Sequence, residues 1–149
     1  MSDRPTVSVS LTCKRADDAL KFYKEAFGAQ EDLVMPMEDG NLAHCEFFIG
    51  NTRIYLSCED EDYFAKAMEP GQMCSAILSI EVDDCDAACE KARNAGARVL
   101  VEPKDQFYGA RTAVLLDLFG YRWCLVQKTE ELSNEEVISR AKALYSDMA

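Results

Sequence analysis

Positive charge is scarce in this chain. Lys and Arg number 16 against 27 Asp and Glu, a net charge of −11, and a surface with that balance is unsuited to neutralising phosphates as its main task. Nucleic acid is therefore not an expected partner. At long range the acidic field favours cationic small molecules, or it serves solubility alone. Histidine is scarcer still, with the single residue His44. Long hydrophobic runs are missing, since no stretch approaches the ~18 apolar residues needed to span a bilayer. The opening residues, MSDRPTVSVS, lack the basic start and apolar centre of a secretory signal. The expectation is a cytoplasmic chain with no membrane partner. Cys-x-x-Cys is also missing. The seven cysteines (13, 45, 58, 74, 85, 89 and 124) are odd in number and lie mostly inside apolar segments, which reads as reduced thiols in a cytosol. Cys85 and Cys89 stand four apart, as two metal ligands would. They share a helical face with Ala88, Ala92 and Ala95, so packing is the better reading.

What is present is one structural unit written twice. A chain of 149 residues at 48% hydrophobic and 29% charged is long enough for one core and too short for two ordinary domains. From Val7 to Cys13, Val7, Val9 and Leu11 alternate with Ser8, Ser10 and Thr12, the period of a strand with one apolar face. Ala16-Asp-Asp-Ala-Leu-Lys-Phe-Tyr-Lys-Glu-Ala-Phe-Gly28 carries a broad apolar stripe with a glycine stop, an amphipathic helix. Strands follow at Asp32–Met37, Leu42–Ile49 and Thr52–Cys58, separated by the turn dipeptides Asp39-Gly40 and Gly50-Asn51. After an acidic connector at Glu59–Asp62, the same order returns. It comprises a strand at Ser75–Val82, a helix at Asp84–Gly96, and strands at Arg98–Val101, Ala110–Asp117 and Tyr121–Gln127. Asp18-Ala19 and Gly28-Ala29 recur as Asp86-Ala87 and Gly96-Ala97 at one offset of 68 residues. A tail helix over about 133–147 starts at Ser133 with Glu136 three residues on; its stripe of Val137, Ala141, Leu144, Tyr145 and Met148 needs cover from the body or a second subunit. The fold class is α+β: one domain of two tandem βαβββ units, about 6–60 and 74–128, plus a C-terminal helix. Pairing their open sheet faces would form a partly closed cavity, the default small-molecule site.

Asp105-Gln-Phe-Tyr-Gly-Ala-Arg111 with Asp117-Leu-Phe-Gly-Tyr-Arg-Trp123 resembles the loop and "D-P-F-G-H-R-W" stretch of glyoxalase/bleomycin-resistance proteins in the vicinal oxygen chelate superfamily. Asp18-Ala-Leu-Lys-Phe-Tyr-Lys-Glu-Ala-Phe-Gly-Ala29 resembles their first-helix signature, and with Val82–Ala87 the likeness covers nearly the whole chain except the tail helix. The resemblance implies paired βαβββ units and a homodimer. It also implies a metal held by one His, Glu or Gln from the first and last strand of each unit. The matching positions fall near Ser8 and Ser79, near Ile54 or Leu56, and at Cys124. Two serines, one aliphatic and a thiol are not a ligand set for a divalent cation, so neither a metal nor another cofactor is expected. A slip of one residue at Ser79 offers only Leu78 or Ile80. Leu118 and Tyr121 replace the pattern's proline and histidine, so the fold carries over better than the chemistry.

Seven residues are candidates for ligand contact. His44 and Glu46 project to one face of their strand. They form a proton-transfer couple or a plain hydrogen-bonded pair. Tyr108 and Arg111, in what reads as a long loop, could hold a flat or anionic ligand at the cavity mouth, or Arg111 pairs with Asp105. Ser8, Ser79 and Cys124 would line the cavity, and Trp123 reads as core. Three functions stay open. The first is a small-molecule binding protein of the glyoxalase/bleomycin-resistance type without the usual metal site. The second is a metal-dependent or His/Glu-dependent lyase, isomerase or dioxygenase, and the third a regulatory interaction module.

Overall fold

The computed structural model describes residues 4–148; the first three residues of the opening segment lie outside the described residues. The first unit comprises β1 (Val9–Thr12), α1 (Ala16–Phe27), β2 (Gln30–Pro36), β3 (Leu42–Ile49) and β4 (Thr52–Ser57). The second comprises β5 (Ile77–Glu81), α2 (Cys85–Ala95), β6 (Arg98–Gln106), β7 (Ala110–Leu116) and β8 (Arg122–Lys128). Each makes its own four-stranded sheet, ordered β1-β4-β3-β2 and β5-β8-β7-β6. First and last strands pair in parallel in both, with Val9 opposite Ile54 and Ser79 opposite Cys124. Among the described residues no helix is long and apolar enough to cross a membrane.

Local sequence explains the helices. α1 buries Ala19, Leu20, Phe22, Tyr23 and Ala26, the stripe expected of a helix on a sheet. α2 begins at Asp84, whose carboxylate accepts from the Ala87 N–H. Both helices end on a left-handed glycine, Gly28 at φ 68° and Gly96 at φ 116°, a conformation that other residues adopt only under strain. Cys85 and Cys89 are buried on the sheet side of α2 with Ala92, and burial pushes the Cys85 thiol up to about 11. They are packing residues, as their neighbours suggested.

The core is shared between the units. Tyr23 and Phe27 of α1 lie 5.3 and 4.8 Å from the ring of Trp123 on β8. At its centre sits buried Asp117. One carboxylate oxygen accepts from the Tyr23 hydroxyl at 2.7 Å and the Trp123 indole N–H at 2.9 Å. The other accepts from the backbone N–H groups of Phe119 and Tyr121 at 2.8 and 3.0 Å. Burial drives its pKa up against these four donors. Tyr121 stitches the units again, its hydroxyl accepting from the Thr12 N–H at 2.9 Å and donating to the Thr12 carbonyl at 3.2 Å. The residue that departs from the family pattern thus has a structural task.

One expectation needs correcting. The stretch before Tyr108 is not a long loop, because β6 runs on to Gln106 and leaves only Phe107–Gly109 as a turn. Pro103, which has no N–H to give a ladder, and register shifts on both sides of Val101 disguised the strand. The two sheets stay separate and are not closed into a barrel, as a partly closed arrangement requires. Leu33 and Met35 on the open face of the first sheet, and Ile77 and Val101 on that of the second, remain exposed. The tail helix α3 (Asn134–Ser146) has the predicted capping box, and the body of the chain buries none of its residues fully. Arg140 ties it to Glu130 at 3.0 Å and to the Phe107 carbonyl at 3.1 Å, while Leu144, Tyr145 and Met148 stay exposed.

Candidate functional site

The two sheets meet at a seam. β1 and β5 are the edge strands facing it, so each presents backbone donors and acceptors without a ladder partner there. Between them lies a groove of about 890 Å3. Val7 and Ser8, leading into β1, form one wall, and Leu78, Ser79 and Ile80 of β5 form the other. Phe27 and Trp123 provide an apolar floor, with Thr52, Arg53 and Glu81 at the rim. The exposure of Val7 and Val9 follows from this placement: the apolar side of the first strand runs past the sheet into the groove.

Of the seven candidate residues, only Ser8 and Ser79 line this groove. Cys124 sits beside Ser79 in the ladder, on the open face of the second sheet, and burial raises its thiol pKa. Arg111 lies on the helix-packed side. It donates to Asp86 on α2 at 2.7 and 3.0 Å and to Asp105 at 3.2 Å, and the Asp86 carboxyl is held below its ordinary range by that guanidinium. Tyr108 is exposed in the β6–β7 turn, edge-on to Phe107 at 5.2 Å. The structure therefore does not bring Tyr108 and Arg111 to the groove.

His44 and Glu46 do meet, on the open face of the first sheet. The imidazole Nε2 lies 3.3 Å from one carboxylate oxygen of Glu46. Arg53 of β4 donates to the other, reaches Asp32 at 3.0 Å and lies 4.9 Å over the Phe48 ring. The Tyr55 ring stacks on His44 at 5.9 Å. The hydrogen bond from His44, then those from Arg53, hold the Glu46 carboxyl below its ordinary range. Sequence reading missed Arg53 and Tyr55. The two-residue turn Gly50-Asn51 was the available signal, because it sets Glu46 opposite Tyr55 and Phe48 opposite Arg53.

Residues 6–125 match the family profile described as Glyoxalase/Bleomycin resistance protein/Dioxygenase superfamily. An uncharacterized protein of Mycobacterium bovis is 33% identical over 136 residues, covering 89% of this chain and 90% of the relative. Among solved structures, TioX from Micromonospora sp. ML1 superposes with a TM-score of 0.68 at 21% identity, covering 84% of this chain and 99% of that one. The fosfomycin resistance protein FosX from Listeria monocytogenes, complexed with Mn(II) and sulfate, gives 0.67 at 15% identity, covering 95% and 99%. These structural likenesses concern the fold.

Proposed function

The chain belongs to the glyoxalase/bleomycin resistance protein/dioxygenase superfamily, and from that premise we propose that it binds a small organic molecule in the seam groove without the superfamily's usual metal site. The groove itself carries this reading. Its volume of about 890 Å3 lies within the roughly 300–1,000 Å3 of small-molecule sites, and an apolar floor with a few polar groups at the rim suits such a ligand. Ser8 and Ser79 supply hydroxyls, and the edges of β1 and β5 supply backbone groups. Arg53 is already engaged by Glu46 and Asp32. Arg4 and Arg53 line the groove together with Glu81, so its walls carry both signs of charge, and the net charge of −11 favours a neutral or cationic ligand at long range.

The metal reading fails on donor chemistry. At the positions the resemblance implies, Ile54 and Leu56 are buried against the helix layer. Ser8 and Ser79 offer neutral hydroxyls, and burial raises the pKa of the Cys124 thiol. A divalent cation needs several basic donors, and this set does not fit one. The working location proposed is the cytosol, where reduced thiols persist. The uncovered sheet faces and the exposed stripe of α3 are read as surfaces that a second copy covers, making a homodimer. Sedimentation of only single-chain mass at micromolar concentration would count against the dimer.

The test of binding is native mass spectrometry of protein purified without chelators. The expected result is a folded species heavier than the bare chain by one small organic molecule. A folded species of bare mass, or one carrying a stoichiometric divalent metal, would contradict it.

A further inference from the structure

Hydrogen bonding at the ends of β1 and β5 fixes which backbone groups face the seam. In a parallel pair one residue in two turns both its N–H and its C=O toward the neighbouring strand, and the residues between turn theirs away. Cys13, directly after β1, donates to the Ser57 carbonyl at 3.0 Å. Leu11 and Val9 therefore bond β4, while Thr12, Ser10 and Ser8 face the seam. Thr12 bears this out, since the Tyr121 hydroxyl takes both its N–H and its C=O. Val82, directly after β5, donates to the Val126 carbonyl at 2.9 Å, so Ile77, Ser79 and Glu81 are the residues of β5 that face the seam. Beyond Thr12, no partner among the described residues takes these backbone groups. β1 and β5 do not pair with each other, yet both border the groove of about 890 Å3. Two facing rows of unpaired donors and acceptors are what one further strand between them would satisfy.

We propose that the ligand of the groove is a short free peptide, lying extended between β1 and β5 as an added strand that joins the two sheets, with a cationic group at Glu81. The inference rests on the binding reading above and narrows its ligand to one chemical class. β1 and β5 are four and five residues long, and a peptide of similar length pairs along both. Its alternate side chains fall on the Phe27 and Trp123 floor and are apolar, while those between point to the opposite side. Glu81 lines the groove and accepts from the amino terminus or from a Lys or Arg side chain. The Tyr121 hydroxyl closes the seam at Thr12. A strand running along the seam has to stop there, which favours a short free peptide over an internal segment of a long chain.

Trp123 is the only tryptophan and floors the groove, so its fluorescence reports occupancy. The probe is the free pentapeptide Lys-Val-Ala-Val-Ala, titrated into the full-length protein. It should bind one to one. Versions N-methylated at both valines, or at both alanines, should each bind about tenfold more weakly, because alternate amides serve opposite edges. Ser79→Pro removes a donor that the β5–β8 ladder does not use, so its melting temperature should match that of the unaltered protein while peptide affinity falls about tenfold. Ser8→Pro is the second variant should that protein not fold. Tandem mass spectrometry of the molecule retained on purification should give peptide-backbone fragments. A retained molecule without an amide backbone would overturn this inference and leave the binding reading intact. Equal affinity for the methylated peptides, or no fluorescence change up to about 1 mM pentapeptide, would overturn it as well.

Discussion

α1 and α2 occupy equivalent places in the two units, yet α1 buries Phe22 and Tyr23 where α2 buries Cys85, Cys89 and Ala92. The sheets diverge in the same way. The open face of the first carries His44, Glu46, Arg53 and Tyr55; that of the second carries Ser79, Val114, Cys124 and Val126. The helices touch, so their side chains fill one common space: Tyr23 and Phe27 reach across to Trp123, taking up volume that the small residues of α2 leave. Duplication accounts for the path of the chain, and divergence within it separates a chemically equipped face from a plain one.

The largest effect should come from the group that joins the unequal halves. Asp117→Ala leaves the Tyr23 hydroxyl and Trp123 N–H without their buried acceptor, and should cost about 3–5 kcal/mol in urea unfolding. Tyr121→Phe removes only the link to Thr12 and should cost about 1 kcal/mol. Equal small losses for both would break the account of how the units are held. Making α2 resemble α1 is the next test. Ala92 is fully buried, and Ala92→Phe should destabilise by about 3 kcal/mol through overpacking; a neutral result would mean that the helices do not share one space.

The smallest effect concerns the charged face. The folded-state pKa of Glu46 is depressed, so its ion pairs stabilise the fold above the ordinary carboxylate pKa of 4.5, and that contribution is lost as pH falls through the lowered value. The melting temperature of Glu46→Gln should therefore lie below that of the unaltered protein at about pH 7 and approach it near about pH 3. A gap independent of pH would assign the difference to packing.

How far these contrasts could be read in advance differs between fold and site. The periods of two and 3.6 marked both units, and the matching Asp-Ala and Gly-Ala pairs disclosed the repeat, because burial on one face leaves a regular trace. β6 escaped because Pro103 and charged neighbours resemble a loop. Asp117 looked like the end of a strand, since nothing local reveals a carboxylate that collects donors from residue 23 and residue 123. The groove was the least legible feature. Ser8 and Ser79 were expected to line a cavity between the open sheet faces, whereas Phe27 and Thr52 join them only through the seam between two sheets. Arg111 went the other way: its loop-like sequence suggested a ligand contact, while the structure spends its donors on Asp86 and Asp105.

The claim that the seam groove is the ligand site is tested most directly by filling it. Ser79 is exposed on β5 within the groove, so Ser79→Phe places a ring in the space without disturbing the core. Native mass spectra of the two proteins, prepared side by side, should show a retained small molecule in the unaltered chain and the bare mass in Ser79→Phe, with melting temperatures alike. The same retained mass in both would place the ligand elsewhere and contradict the account.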